Sequence, residues 1–285
     1  MGTSRLTVGR RSAGRGRVSR YSASAVAFYA ADVADGGAAA RWAELQSGRG
    51  IPSAIRARVD WNPWHHEPSW FVPPPVPADT PSRAAGLALL VPPGAVLDVG
   101  CGGGSAAFAL AERATELIGV DRQGDMLDVF AATARDRGVA ARVVLGEWPD
   151  AAKAAGQADV VVANHVLHNV VDLPPFLRAL TTAARRGVVV EMLDQHPMAW
   201  LDPLWERFHG LRRPPPATAD DAVAVLREIG LAPAVTRWER TNPPRQDPEW
   251  VTRRLCLPPE RVNEVAAALD VRTRPRTAAT LIWRR

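Results

Sequence analysis

Lysine is all but absent from this chain of 285 residues: Lys153 is the only one, and arginine carries the remaining positive charge. That bias is expected of a GC-rich bacterial genome and has no chemical message of its own. Cysteine is scarce too. Cys101 and Cys256 are too few and too far apart for a disulfide framework or a thiolate metal site, so a reducing cytoplasm is expected. No apolar run approaches the length that spans a bilayer, and charges interrupt the longest ones, which predicts a soluble protein. Repeats at solenoid spacing are missing as well. What is there is a globular composition, 47% hydrophobic and 23% charged, long enough to bury a sizeable core.

The formal net charge of +5 is unevenly placed. Arg5, Arg10, Arg11, Arg15, Arg17 and Arg20 fall in the first 20 residues, which hold no acid, and without them the body is close to neutral. This Gly/Ser/Arg composition predicts a disordered basic tail rather than a nucleic-acid arm. The paired Arg10 and Arg11 hint at an export signal, but Asp32 and Asp35 break the stretch that would form its apolar core. Export is therefore discounted.

From Tyr21 to about Gln46 an alanine-rich pattern predicts one or two helices, with a break at Gly36 and Gly37. The segment WNPWHHEPSWFVPPPVP, 61–77, excludes regular helix by its prolines. It crowds Trp61, Trp64, Trp70 and Phe71 into too much apolar surface to be left in water, so it is expected to pack on the domain C-terminal to it. Thr80 and Pro81 make an N-cap and a first helical position, opening a helix to Leu90. Short Val/Ile/Leu runs then alternate with helical patterns, predicting strands near 95–100, 117–121, 141–145, 158–163 and 187–192. Asp172 is placed to cap a helix ending near Arg185. Thr218, Asp221 and Gly230 are the cap, third position and stop of another. Runs at 232–240 and 276–285 lack a crossover of their own and are expected to pair as an antiparallel edge. The expected fold is α/β: a Rossmann-like, mostly parallel seven-stranded sheet with helices on both faces and that C-terminal hairpin. A tail (1–20) and an N-terminal extension (21–79) precede a domain at 80–285, with cap insertions at about 196–230 and 243–272.

The stretch AVLDVGCGGGSAAFAL, 95–110, packs four glycines into five positions directly after an apolar run. Something must approach that backbone closely. A strand that ends in glycines and leads into a helix presents bare N–H groups to a polar ligand. The dinucleotide spacing fails when read from Gly100, at Ser105, and passes when read from Gly102, as Gly102, Gly104 and Ala107, so spacing alone does not decide. The neighbours decide better. Asp98, two residues before Gly100, would oppose a pyrophosphate but suits an ammonium and a sulfonium, and Asp121 at the tip of LIGVD can accept from both ribose hydroxyls. Both acids favour a cationic nucleoside, although Asp98 has a second use available, capping the next helix.

With these residues the sequence resembles the class I S-adenosylmethionine-dependent methyltransferases, small-molecule type, over about 90–191. VLDVGCGGG looks like their first motif, GVDRQGDML their second, VVLGEWPD their third and ADVVVANHVLHNVVD their fourth. The resemblance implies S-adenosylmethionine as cofactor. It would lie on the loop of Asp98, Gly100, Cys101, Gly102 and Gly104, with its ribose on Asp121 beside Arg122. Met126, Glu147 and Trp148 would meet its adenine, and Asn164 its methionine part. Glu147 departs from the aspartate more usual there.

Methyl transfer from a sulfonium needs alignment and exclusion of water, and an acidic acceptor also needs a base. His165 and His168 follow the fourth strand, at the end where α/β ligands bind, and would share a face if their turn is helical. No spacing enforces a metal site, and none is expected. Trp64, Trp70, Trp200, Trp205, Phe208 and His209 would wall an enclosed pocket for a small organic acceptor. The Asp/Asn-Pro-Pro-Tyr or -Phe signature of enzymes that methylate planar amino groups is missing, which turns the reading from nucleic acid toward a metabolite. RNA or protein methylation using the tail, a non-catalytic cofactor-binding protein and a nicotinamide dehydrogenase are the alternatives.

Overall fold

Each short apolar run becomes a strand, and together they form one seven-stranded sheet in the computed structural model. The residues described are 36–240, 246–269 and 276–285. The basic tail and the start of the helical extension lie outside them. The strands are β1 (Gly94–Val99), β2 (Ala114–Asp121), β3 (Ala141–Leu145), β4 (Ala158–Asn164), β5 (Ala184–Leu193), β6 (Ala234–Arg240) and β7 (Arg276–Arg284). Their order is β3-β2-β1-β4-β5-β7-β6. The first five are parallel to one another, while β7 runs antiparallel to both β5 and β6. The expected Rossmann-like sheet with its antiparallel edge is the one observed.

Strand side chains alternate between two apolar layers, as the period of two requires. Leu97 and Val99 join Trp42, Leu177, Leu180 and Val225 on one face. Val96 joins Leu89, Leu117 and Phe130 on the other. The first face is covered by helices Ala38–Ser47, Leu173–Ala183 and Ala219–Glu228, the second by helices Pro81–Leu89 and Gly124–Arg137. Trp42 pins the N-terminal helix to the domain: its ring is fully buried and its indole N–H donates to the Val170 carbonyl at 2.8 Å.

Two of the three expected caps form. The Thr80 hydroxyl accepts from the Arg83 N–H at 3.1 Å, and Thr218 and Asp221 make a full capping box. Asp172 does not cap with its side chain. A cap side chain bonds the N–H of the second or third helical residue, and those residues here are Pro174 and Pro175, which have none. That helix stops at Ala183, so Arg185 lies on β5.

A third apolar cluster gathers Ile55 from the N-terminal part, Leu201, Leu204 and Trp205 from the segment after β5, and Val251, Leu255, Leu257 and Val265 from between β6 and β7. Three distant pieces of chain thus meet in one apolar cluster.

Candidate functional site

The cavity at the C-terminal ends of β1, β2, β4 and β5 has a volume of about 980 Å³. It is where a parallel sheet places its ligands, at the point where strand order reverses between β1 and β4.

One answer to what crowds the glycine loop is the protein itself. A Cβ on Gly103 would stand 2.1 Å from the Phe71 carbonyl oxygen, and one on Gly104, whose φ is +94°, would stand 2.5 Å from the Phe130 ring. Phe71 of the segment 61–77 therefore lies against the loop, and the segment packs on the domain C-terminal to it, as its apolar content predicted. Gly100, Cys101 and Gly102 line the cavity, but Gly104 turns away toward Phe108 and Phe130.

Asp98 is 1% exposed, and its Oδ2 accepts the Ala107 N–H at 3.0 Å, so it steadies the following helix while also lining the cavity. Burial pushes its carboxyl up to about 7; the Ala107 N–H opposes this and the nearby Asp121 charge adds to it. Asp121 accepts from Gly102 N–H at 2.8 Å and from Gln123 N–H at 2.9 Å, fixing the loop to the tip of β2. Among the described residues no basic side chain pairs with either acid. This end of the cavity suits a cation.

Met126 and Trp148 are buried in the cavity wall, the Trp148 indole N–H donating to the Phe176 carbonyl at 3.3 Å. Glu147 lies at the rim, its side chain 73% exposed and 3.7 Å from Arg122.

At the end of β4, Asn164 lines the cavity with its buried Oδ1 unengaged by any described residue. His165 comes next in the left-handed region, φ +61°, held there by its N–H on the Glu191 carbonyl at 2.6 Å. A bulky residue occupies that region only when its surroundings over-determine it. The imidazole Nε2 is 3.0 Å from Glu191 Oε1. Arg240 Nη1 donates to the same oxygen at 3.1 Å and abuts His165 Nε2, while the Ser82 hydroxyl donates to Oε2 at 2.5 Å. Burial pushes the Glu191 carboxyl up, but the hydrogen bonds from His165 and Ser82 and the charge of Arg240 outweigh it and hold it below its usual range. His165 is lowered, by burial first and then by Arg240, against the pull of Glu191, so the imidazole is neutral at pH 7.

His168 is not part of this group. The turn at Leu167–Asn169 begins after His165, so the two rings do not share a face. The His168 ring is 4% exposed, its Nε2 lies 2.9 Å from the Leu193 carbonyl, and it meets His196 edge-on with 5.4 Å between ring centres. It does not line the cavity. Burial lowers His168 to about 4 and His196 to about 3, below the ordinary 6.5. Depressed histidines stabilise the fold fully above pH 6.5 and lose that contribution as pH falls through their folded values. The melting temperature is therefore expected to fall between pH 6.5 and 4, and His196→Gln is expected to flatten that fall, as thermal denaturation across the range would read.

Trp64 and Trp70 line the cavity as expected. Trp200, Trp205, Phe208 and His209 do not; they pack the third apolar cluster, with His209 Nε2 tied to the Leu255 carbonyl at 2.7 Å. Sequence reasoning missed Glu191, Ser82, Arg240, Trp238, His196 and Arg254, all in the cavity wall. An acid inside the run VVVEML was the one signal for Glu191. Among the described residues no group of three or more His, Cys, Asp or Glu is arranged to hold a metal.

The Rossmann-like sheet with a cavity at its C-terminal strand ends is similar to that of the class I S-adenosylmethionine-dependent methyltransferases. Residues 96–187 match the family model of a methyltransferase domain. The chain is 34% identical over 128 residues to the ubiquinone biosynthesis O-methyltransferase of Escherichia coli O9:H4 (strain HS), covering 44% of this chain and 53% of that protein. It is 31% identical over 109 residues to that of Aeromonas salmonicida (strain A449), covering 37% and 46%. The chain thus spans about half the length of these curated relatives. Magnesium protoporphyrin IX methyltransferase from Synechocystis PCC 6803, solved with bound SAH, is similar at 17% identity and a TM-score of 0.47, over 72% of this chain and 82% of that one.

Proposed function

We propose that this protein transfers a methyl group from S-adenosylmethionine to a hydroxyl oxygen of a small organic acceptor, in the cytoplasm, with segment 196–230 and the described part of 243–272, residues 246–269, serving as the cap over the acceptor. The observation that carries this reading is the pair of uncompensated carboxylates, Asp98 and Asp121, at one end of a cavity whose other wall holds a neutral His165 on an ionised Glu191. The names of the relatives support an oxygen acceptor. When bound, S-adenosylmethionine supplies a methyl carbon already activated by its sulfonium, so the chain's tasks are alignment, desolvation and proton removal.

Asp98 meets the ammonium, Asp121 the ribose hydroxyls, and Met126 and Trp148 flank the base. His165 accepts the acceptor's hydroxyl proton at Nδ1, which no described residue engages. Glu191 orients the ring through Nε2 and steadies the imidazolium that forms. Segment 61–77 keeps water from the loop. No helix among the described residues is long and apolar enough to cross a membrane.

Proton linkage tests the cofactor half of this reading. A carboxyl raised to about 7 in the folded protein is still largely protonated at pH 6, and its stability contribution is lost as pH rises through 7. An ammonium on Asp98 favours the ionised form, so calorimetric titration with S-adenosylhomocysteine at pH 6, in buffers of differing ionisation enthalpy, is expected to show saturable binding with proton release. Asp98→Asn is expected to abolish the release and weaken binding about 10-fold or more. No binding by the folded wild type would end the reading.

A further inference from the structure

The acceptor end of the cavity is as lopsided in charge as the cofactor end, with the opposite sign. Of the cavity arginines, Arg83, Arg122 and Arg240 each face a carboxylate, at 3.2 Å (Glu112), 3.7 Å (Glu147) and 3.1 Å (Glu191). Arg137 is held by two carbonyls, donating to Pro73 at 2.7 Å and Pro74 at 3.0 Å, and lies 5.2 Å from the Phe108 ring centre; Arg276 is partnered as well. Arg254, in the last turn of helix Pro248–Arg254, likewise has no acidic partner among the described residues, and it has one carbonyl where Arg137 has two. Its Nη1 donates to the Pro63 carbonyl at 2.8 Å, and its guanidinium stands 6.0 Å from the Trp250 ring centre, which together fix its direction.

Rings surround that cation. His66 stacks on Trp250 with 6.4 Å between centres, and Trp70 lies 6.0 Å from the same ring. His66, Trp70 and His196 all line the cavity with Arg254. His66 and His196 are lowered to about 4 and about 3, by burial first and in part by the Arg254 charge, so both are neutral near pH 7. A permanent positive charge thus stands in a wall of neutral flat rings. Leaving it without a counter-charge is costly, and a planar monoanion on a flat body is the ligand that removes the cost, since a carboxylate matches a guanidinium fork.

Resting on the methyl-transfer reading, we propose that the acceptor is an aromatic hydroxy acid whose carboxylate is bound by Arg254, with its ring against His66 and Trp70. Arg254 would then select the substrate, while His165, on the end of β4, serves the hydroxyl.

A matched pair of probes tests this: 3,4-dihydroxybenzoate and the neutral 3,4-dihydroxybenzamide, titrated calorimetrically into the protein with and without saturating S-adenosylhomocysteine. Wild type is expected to bind the acid roughly 10- to 100-fold more tightly than the amide. Arg254→Gln is expected to erase the preference and Arg254→Lys to retain part of it, with the affinity for S-adenosylhomocysteine unchanged in both. Equal binding of acid and amide by wild type, no binding of the acid, or a preference that survives in Arg254→Gln would each overturn the proposal. Failure to bind S-adenosylhomocysteine while the acid preference persists would fall on the cofactor reading instead, and leave the Arg254 site standing.

Discussion

Gly103→Val is expected to cost the protein its cofactor site and to destabilise the fold by about 1–3 kcal/mol or more. The first atom of the new side chain would stand 2.1 Å from the Phe71 carbonyl oxygen and 2.8 Å from its carbon, and backbone cannot yield as a flexible side chain does. Either the loop shifts, which pulls Gly102 from Asp121, or segment 61–77 lifts from the domain. Both outcomes open the wall of the cavity. The measurements are the melting temperature, expected to drop by several degrees, and S-adenosylhomocysteine affinity, expected to fall more than 10-fold. Proteolysis would be expected to begin within 61–77. A wild-type affinity in this variant would show that the contact between loop and segment is unimportant for binding.

The strands were legible because burial on both faces leaves unbroken runs such as VVVAN, and the glycine loop was legible because a close backbone approach tolerates no Cβ. The partner in that approach was not legible. Phe71 lies 32 positions upstream of Gly103, and nothing in a proline-rich segment encodes which loop it will cross. The same limit hid Glu191: its three side-chain partners come from Ser82, His165 and Arg240, on three separate elements, and no local pattern joins them. His168 misled for a related reason. Its spacing from His165 implies a shared face only in a continuous helix, and the left-handed residue at 165 breaks that premise. The tryptophans after β5 resemble pocket wall in sequence because aromatic content announces burial without saying against what.

Glu191→Ala is expected to be the most damaging single change in the cavity wall around His165. It would leave Arg240 and His165 without their shared carboxylate in a place where Glu191 is 5% exposed, and breaking such a group from one side costs about 3–5 kcal/mol. In a domain of this size that is a fall in melting temperature of roughly 10 °C. The sign of the pH dependence comes from the lowered carboxyl: its contribution is present above the ordinary glutamate range and is lost as pH falls through the folded value, so wild type and variant should converge in acid. Glu191→Gln separates the structural part from the chemical one. The amide retains hydrogen bonding to Ser82 and fills the same space, but it offers no charge to an imidazolium. A fold close to wild type with kcat reduced about 10-fold or more, KM little changed, and the acidic shoulder of the pH profile displaced to lower pH is the result expected if His165 takes the proton on Glu191's support. If Glu191→Gln instead turned over at the wild-type rate with an unmoved profile, the carboxylate would be a fastener for Ser82 and Arg240 alone, and the proton would have to leave by another route.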